Sequence, residues 1–478
     1  MKYSLFAFII LIVFFLFTRL FSISDSLFYL NDMGRDSLVL LDWQQTGKPP
    51  LLGPQTSALP FNQSAVYFYL LFPFFSLTQG SPYSALYTLN LFYMVVFSLT
   101  FYMIFRSQQK RAMSVFLTSI LLITLHPQFI IQNRFVWNPS FVGPLILAAF
   151  FLFYFLTQHF TLKKVFGLGL TLGLAVSLSY SVIPIVIGFG VVSCLYFKKK
   201  VIWIGGSLVT WLLLFNLPTV FFEVRHHFLL TQMMLQSTKV VQNNIDFSNK
   251  ILSILNFIFT SPTLFWEKVL AIFFTISMVV GSYLTLQQKI FLREDQSSFK
   301  LFVSSTSILV VGILLTLLLP VPILAHYIFG LVVIGCVLLS SLPMQLRIFP
   351  LIFFVGIWTY SVFTGSTFKP AVRTISQMER CYNFFCKQEK APIFVSLQSG
   401  LLPFHNGPEH RYLLKRAGCN IKNIETEVAN ASKMAIIVES SQFTFGQTNY
   451  SELAQFQPKK VDTVHSCEYN LQIITVSN

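Results

Sequence analysis

The chain has 478 residues, 54% of them hydrophobic and 16% aromatic, with 54 phenylalanines and a mean hydropathy of +0.66. One soluble core cannot bury that much apolar surface, so composition excludes an ordinary globular domain and implies a chain that lives mostly in lipid. Charged residues make up only 11% and the formal net charge is +15, yet no basic stripe with interleaved aromatics stands out, which argues against a nucleic-acid partner.

A hydrocarbon layer about 30 Å thick asks for roughly 20 apolar residues per helix. Windows of that kind fall near 4–22, 84–105, 113–132, 140–158, 164–180, 182–197, 201–220, 264–286, 301–320, 322–341 and 347–364, about eleven transmembrane helices in all. Leu5 to Phe21 has the apolar character of a signal peptide and Ser22-Ile-Ser24 is a small-x-small site, but Arg19 interrupts the run, so the segment reads as a retained helix. Lysine and arginine set the orientation, because short loops rich in them stay in the cytoplasm. With Arg106, Lys110 and Arg111, then Lys163 and Lys164, Lys198 to Lys200, Lys289, Arg293, Lys300 and Arg347 all inside, the N-terminus is cytoplasmic. Loops 23–83 and 221–263 then lie outside, as does everything after about 365. The expected organisation is a membrane domain over 1–364 and an extracytoplasmic domain over 365–478.

The first outer loop carries Asp32-Met-Gly-Arg-Asp36 and then Gly47-Lys-Pro-Pro-Leu-Leu-Gly-Pro54. Asp32 to about Gln45 has a helical pattern that Gly47-Lys48-Pro49 ends. Residues three and four apart are neighbours on a helix, so Asp32, Arg35 and Asp36 share a face. Charge is expensive beside a bilayer, which makes this cluster a candidate functional site. A carboxylate there can deprotonate an acceptor hydroxyl or hold a divalent cation against a phosphate leaving group, while Arg35 or Lys48 neutralises phosphate. The alternative is an Asp/Arg pair that only fixes a surface helix. The aromatic segment Tyr67 to Phe75 suits a wall of a lipid groove or a plain interfacial anchor.

Two further polar clusters follow on the same side. Asn133-Arg134-Phe-Val-Trp137-Asn138-Pro139-Ser140 is a short turn between spans, where Arg134 breaks the positive-inside trend. Pro218 to Phe228 contains Glu223, Arg225, His226 and His227. Continued as a helix, it puts Glu223 and one histidine on one face, a spacing suited to metal, phosphate or acid/base work, or to an interfacial anchor. Asp32, Glu223 and His226 are the candidate metal ligands, and the cofactor stays otherwise unknown.

The tail from about 365 loses the apolar runs and reads as a small α/β domain. Residues 391–398, 434–439 and 471–476 suit strands, and Arg411 to Gly418 suits a helix. Four of six cysteines, Cys381, Cys386, Cys419 and Cys467, fall here. An even number outside the cytoplasm suggests two disulfides of unknown pairing, with zinc as the rival reading.

The Asp-x-x-Arg-Asp after the first span, the Gly-Lys-x-Pro-Leu-x-Gly-Pro stretch, the Trp-Asn-Pro turn and the later Phe-Glu-x-Arg-His resemble bacterial members of the dolichyl-phosphate-mannose protein mannosyltransferase superfamily, multi-pass GT-C glycosyltransferases of the family-39 kind. The resemblance covers about 20–320. It implies a sugar donor on a polyprenyl phosphate, inversion at the anomeric carbon, and transfer on the outer face to an acceptor glycan, lipid or protein. Asp32 takes the place of the base, with Asp36 as second choice. Arg35, Lys48, Arg134, Asn138, Arg225 and His226 are the candidates for donor phosphate. The chain departs from many relatives in having Asn62-Gln-Ser-Ala-Val-Tyr67 where they have Gly-Pro, and in lacking an acidic residue between 133 and 140. The competing class is a lipid or glycan transporter or flippase, which calls for repeats and charges within spans. No convincing repeat appears, and the charges gather in outer loops.

Overall fold

A computed structural model describes residues 2–56, 62–237, 247–259, 296–319, 323–365, 367–399, 407–423, 431–439, 456–457, 459–467 and 471–477. The chain divides into two compact units. One comprises Met1–Phe21, Pro50–Leu70 and Thr88–Thr367; the other comprises Ser22–Pro49, Leu71–Tyr87 and Phe368–Asn478. The segment that carries Asp32 therefore packs with the C-terminal residues, an association that composition does not reveal.

The first unit is a multi-pass helical membrane protein, because in lipid a helix is the way an apolar run satisfies its own backbone. Six helices among the described residues are long and apolar enough to span, or seven if one bent pair counts as a span. Helices over Lys2–Leu20, Ser84–Ser107, Val142–Gln158, Leu162–Leu178, Ile183–Phe197, Val201–Phe215, Gln296–Leu318, Phe329–Ser341 and Met344–Thr364 occupy the expected windows. The window 264–286 lies outside the described residues. The stretch Asn138–Gln158 is the most enclosed, with 89% of its apolar window buried, so it forms the centre of this unit. A two-stranded ribbon, β1 (Leu52–Gln55) and β2 (Asn62–Ser64), also belongs here.

The window 113–132, expected as one span, is two helices, Lys110–Leu125 and Pro127–Arg134, bent by 66°. Pro127 has no N–H and drives the residue before it out of the helical region; His126 accordingly sits at φ −63°, ψ 117°. The bend frees carbonyls in the last turn. Arg19 takes them up, donating from Nη1 to the Thr124 carbonyl and from Nη2 to the Ile123 carbonyl at 3.1 Å. Its ring contact is Phe15, 4.2 Å from the guanidinium carbon. Arg134 does the same for the first helix, donating to the carbonyls of Arg19 at 3.4 Å and Phe21 at 3.0 Å. Arg19 thus closes the C-terminal end of Lys110–Leu125, and Arg134 that of Lys2–Leu20, where the helix dipole favours a cation.

In the second unit, β3 (Ile393–Gln398), β4 (Lys433–Val438), β5 (Lys460–Ser466) and β6 (Gln472–Ser477) form one sheet in the order β3-β4-β6-β5. The β3/β4 pair is parallel and the other two pairs are antiparallel, with Phe394 opposite Met434 and Met434 opposite Val476. Phe394, Met434, Ile436, Val438, Phe456, Ile474 and Val476 make its core. Helices Ile375–Gln388 and Pro408–Arg416 complete it. The first of these opens with a reciprocal cap between Thr374 and Gln377 and buries Ile375, Met378, Tyr382 and Phe385 along one stripe. Disulfides join Cys381 to Cys467 and Cys386 to Cys419, so both bridges anchor the same helix.

Candidate functional site

The Asp32-Met-Gly-Arg-Asp36 motif lies on the helix Asn31–Thr46, which stops at Gly47 in the left-handed region, φ +70°. Only glycine adopts that backbone without strain, so the helix ends there. Arg35 binds both acids: Nη1 is 2.7 Å from Asp32 Oδ1, Nη2 is 2.8 Å from Asp36 Oδ1, and Nε donates to the same oxygen at 2.9 Å. Helical spacing brings the three together as expected. Their surroundings differ: the Asp32 side chain is 26% exposed and that of Asp36 only 3%. Asp36 fixes the guanidinium from the buried side, which leaves Asp32 as the more accessible carboxylate. Lys48 is exposed just beyond the helix end.

The buried side of this helix carries Met33, Gly34, Asp36, Ser37 and Leu40. Ser37 accepts a hydrogen bond from Tyr29 at 2.8 Å and donates to the Met33 carbonyl at 2.7 Å; burial pushes the Tyr29 phenol well up. Gly34 lies against the backbone of Glu409, where a Cβ would meet Cα and N of Glu409 at 2.2 Å and the carbonyl carbon of Pro408 at 2.7 Å. Two helices approach here at main-chain distance.

Behind Glu409 lies a cluster that sequence reasoning missed. Arg373 donates to Glu409 Oε1 at 3.0 Å, pairs with Glu439, and lies 2.6 Å from His410 Nε2. Tyr382 Oη is 2.5 Å from His410 Nδ1, and Glu439 Oε1 is 3.2 Å from Nε2. Glu409 and His410 are fully buried. Burial pushes the Glu439 carboxyl up, but the hydrogen bond and charge of His410, together with the Arg373 guanidinium, outweigh it and hold the group down at about 2. Positions 373, 409 and 439 are far apart in the chain, so no local spacing reveals them. The one local signal was Gly407-Pro408-Glu409-His410, where a charged pair opens a helix whose inner face is otherwise apolar.

The other expected site residues belong to the first unit. Arg134 is buried on its two carbonyls, and Asn138 is buried with its amide donating to the Leu178 carbonyl at 2.7 Å. Glu223 lies near the end of the helix Leu217–Arg225 and accepts from the N–H groups of Leu230 at 2.9 Å and Thr231 at 3.0 Å and from the Thr231 hydroxyl. It thereby caps the next helix, Leu229–Ser237. Burial raises its carboxyl, and those three bonds together outweigh that and lower it. Arg225 and His226 are exposed, with His226 stacked on Phe222 at 4.3 Å between ring centres. Among the described residues, no group of three or more His, Cys, Asp or Glu is arranged to hold a metal ion.

No protein-family model matches the chain, and no curated protein matches it. Among solved structures it is similar to ArnT from Cupriavidus metallidurans bound to undecaprenyl phosphate, at 8% sequence identity and a TM-score of 0.63, over 98% of this chain and 97% of that one. The apo state of the same protein matches with a TM-score of 0.58, again at 8% identity and over 98% and 97% of the two chains. The likeness spans nearly the whole of both chains, and what it shows is a shared fold: a GT-C-type arrangement of membrane helices followed by a small C-terminal sheet domain.

Proposed function

We propose that this protein is an integral membrane glycosyltransferase that moves a sugar from a polyprenyl-phosphate donor to an acceptor on the extracytoplasmic face, with Asp32 as general base. The observation that carries the reading is the division of labour around Arg35: a buried Asp36 holds the guanidinium while Asp32 keeps an accessible carboxylate. In the reaction, Asp32 takes the proton of the acceptor hydroxyl, the hydroxyl oxygen attacks the anomeric carbon, and the polyprenyl phosphate leaves from the opposite side. That in-line displacement inverts the sugar. Lys48, exposed just past the end of the Asp32 helix, is the group proposed to meet the donor phosphate; Arg134 and Asn138 already bond backbone carbonyls. The fold shared with a protein whose structure holds undecaprenyl phosphate supports the donor class. The motifs support the mannosyltransferase superfamily and the bacterial family-39 kind. Positive loops support a cytoplasmic N-terminus and an extracytoplasmic domain over 365–478.

The test is turnover of a panel of radiolabelled polyprenyl-phosphate sugars by the purified protein in lipid, with Asp32→Asn in parallel. Donor consumption that disappears in the variant supports the reading and names the sugar. Equal consumption by both proteins overturns Asp32 as base. Movement of the intact lipid across vesicles without consumption of the sugar makes the protein a flippase instead.

A further inference from the structure

We infer that Glu409 is a positioning residue for Asp32: its backbone is the seat on which the Asp32 helix rests, and its buried carboxylate, gripped by Arg373, fixes that seat. The inference rests on the reading of Asp32 as base. Three observations carry it.

Gly34 and Glu409 meet main chain to main chain. A methyl group at 34 would fall 2.2 Å from two backbone atoms of Glu409, and no rotamer change relieves a clash with backbone. Any side chain there lifts the helix away from its seat. Asp32 is two residues from Gly34 on the same helix and moves with it.

The seat is held from several directions. Arg373 grips the Glu409 carboxylate at 3.0 Å, and His410 beside it is bound by Tyr382. Tyr412 donates to the Gly80 carbonyl, Arg411 donates to the Val395 carbonyl of β3 at 3.1 Å, and Arg416 pairs with Glu379. The Cys386–Cys419 bridge closes the far end. Little freedom is left in the helix Pro408–Arg416, so the position of the Asp32 helix is set by the tail.

Only one oxygen of Glu409 is used. Oε1 accepts from Arg373, while Oε2 is buried with no hydrogen-bond partner among the described residues. A buried carboxylate left half-satisfied is costly. A residue chosen for stability alone would do better as an apolar side chain of similar volume, whereas a charge locked to one arginine fixes direction.

The experiment compares Gly34→Ala, Glu409→Gln and, as a control on another helix where an added Cβ meets no described atom within 4 Å, Gly190→Ala, each in the full chain in lipid beside wild type and Asp32→Asn. The measured quantities are kcat and donor KM per folded molecule, and the acid limb of the pH–rate profile. Misplacement of a reacting group by about 1 Å lowers rate about 100-fold, so Gly34→Ala should lose about that factor in kcat with KM within about threefold of wild type. Glu409→Gln, which keeps shape and removes charge, should lose about tenfold in kcat, and both should shift the acid limb. Gly190→Ala should match wild type. A merely structural seat would lower yield and melting temperature but leave kcat per folded molecule and the acid limb unmoved, and that result overturns the inference. If Gly34→Ala is not recovered folded, Glu409→Gln decides by the same split. If Asp32→Asn is inactive while Gly34→Ala and Glu409→Gln turn over as wild type, the positioning role fails and the base stands; an active Asp32→Asn overturns the base itself.

Discussion

Two clusters in the second unit each hold one arginine between two carboxylates, and they behave differently. Arg35, Asp32 and Asp36 lie within one turn of one helix, with Arg35 36% exposed and Asp32 26% exposed. Arg373, Glu409 and Glu439 come from a loop, a helix start and a strand end, and none exceeds 8% exposure. The Arg35–Asp32 pair, in contact with water, contributes at most about 1 kcal/mol, so it adds little to folding and keeps a carboxylate available. A sealed cluster loses 3–5 kcal/mol or so when one partner is removed, so the second holds geometry and offers no chemistry. The residue types are alike; burial assigns the role.

Substitutions that exchange the two behaviours sharpen the contrast. The largest effect is expected at Asp32→Asn, with kcat down by about a thousandfold and an unchanged melting temperature; Asp36→Asn should be milder, about tenfold, because it only loosens Arg35. Next, Arg373→Met should lower stability by about 3–5 kcal/mol through the uncompensated carboxylates it leaves, read by thermal unfolding of the protein in lipid. A normal melting temperature would show that the sealed cluster is not holding the fold. Third, Glu439 ties stability to pH. Its folded value, about 2, lies below the ordinary 4.5, so its contribution is complete above about 4.5 and fades as pH falls toward about 2. Melting temperature measured across that window should drop, and Glu439→Gln should flatten the slope. The smallest effect is Glu223→Ala in the other unit, about 1 kcal/mol through loss of a cap, visible as faster amide exchange at Leu230 and Thr231.

Much of the architecture was legible in the chain. Apolar windows locate the membrane helices because lipid leaves a polypeptide so few choices, and Gly47 marks the end of the Asp32 helix because it alone takes that backbone easily. Short apolar, β-branched runs picked out β3, β4 and β6, whose residues are nearly all buried. They missed β5, an edge strand with Lys460, Asp462 and exposed Val461 and Val464, where charge protects an unpaired edge and blurs the pattern. Helix Ile375–Gln388 was legible in principle, from its capping box and its stripe of Ile375, Met378, Tyr382 and Phe385. The bend at His126 was legible too, from Pro127, but a long apolar average hid it. The spacing of Asp32, Arg35 and Asp36 was read correctly because it is local. The Gly34 seat was not, since the 374 residues between Gly34 and Glu409 carry no trace of their contact.

Arg19 also fixes an order of assembly. Its two carbonyl partners lie 104 and 105 residues further along the chain, so when the first helix leaves the ribosome they have not yet been made. A bare guanidinium at the end of an apolar span stays at the water boundary rather than entering lipid. The first helix thus reaches its final depth only when Lys110–Leu125 arrives with its broken end, and biogenesis of this protein has a built-in wait.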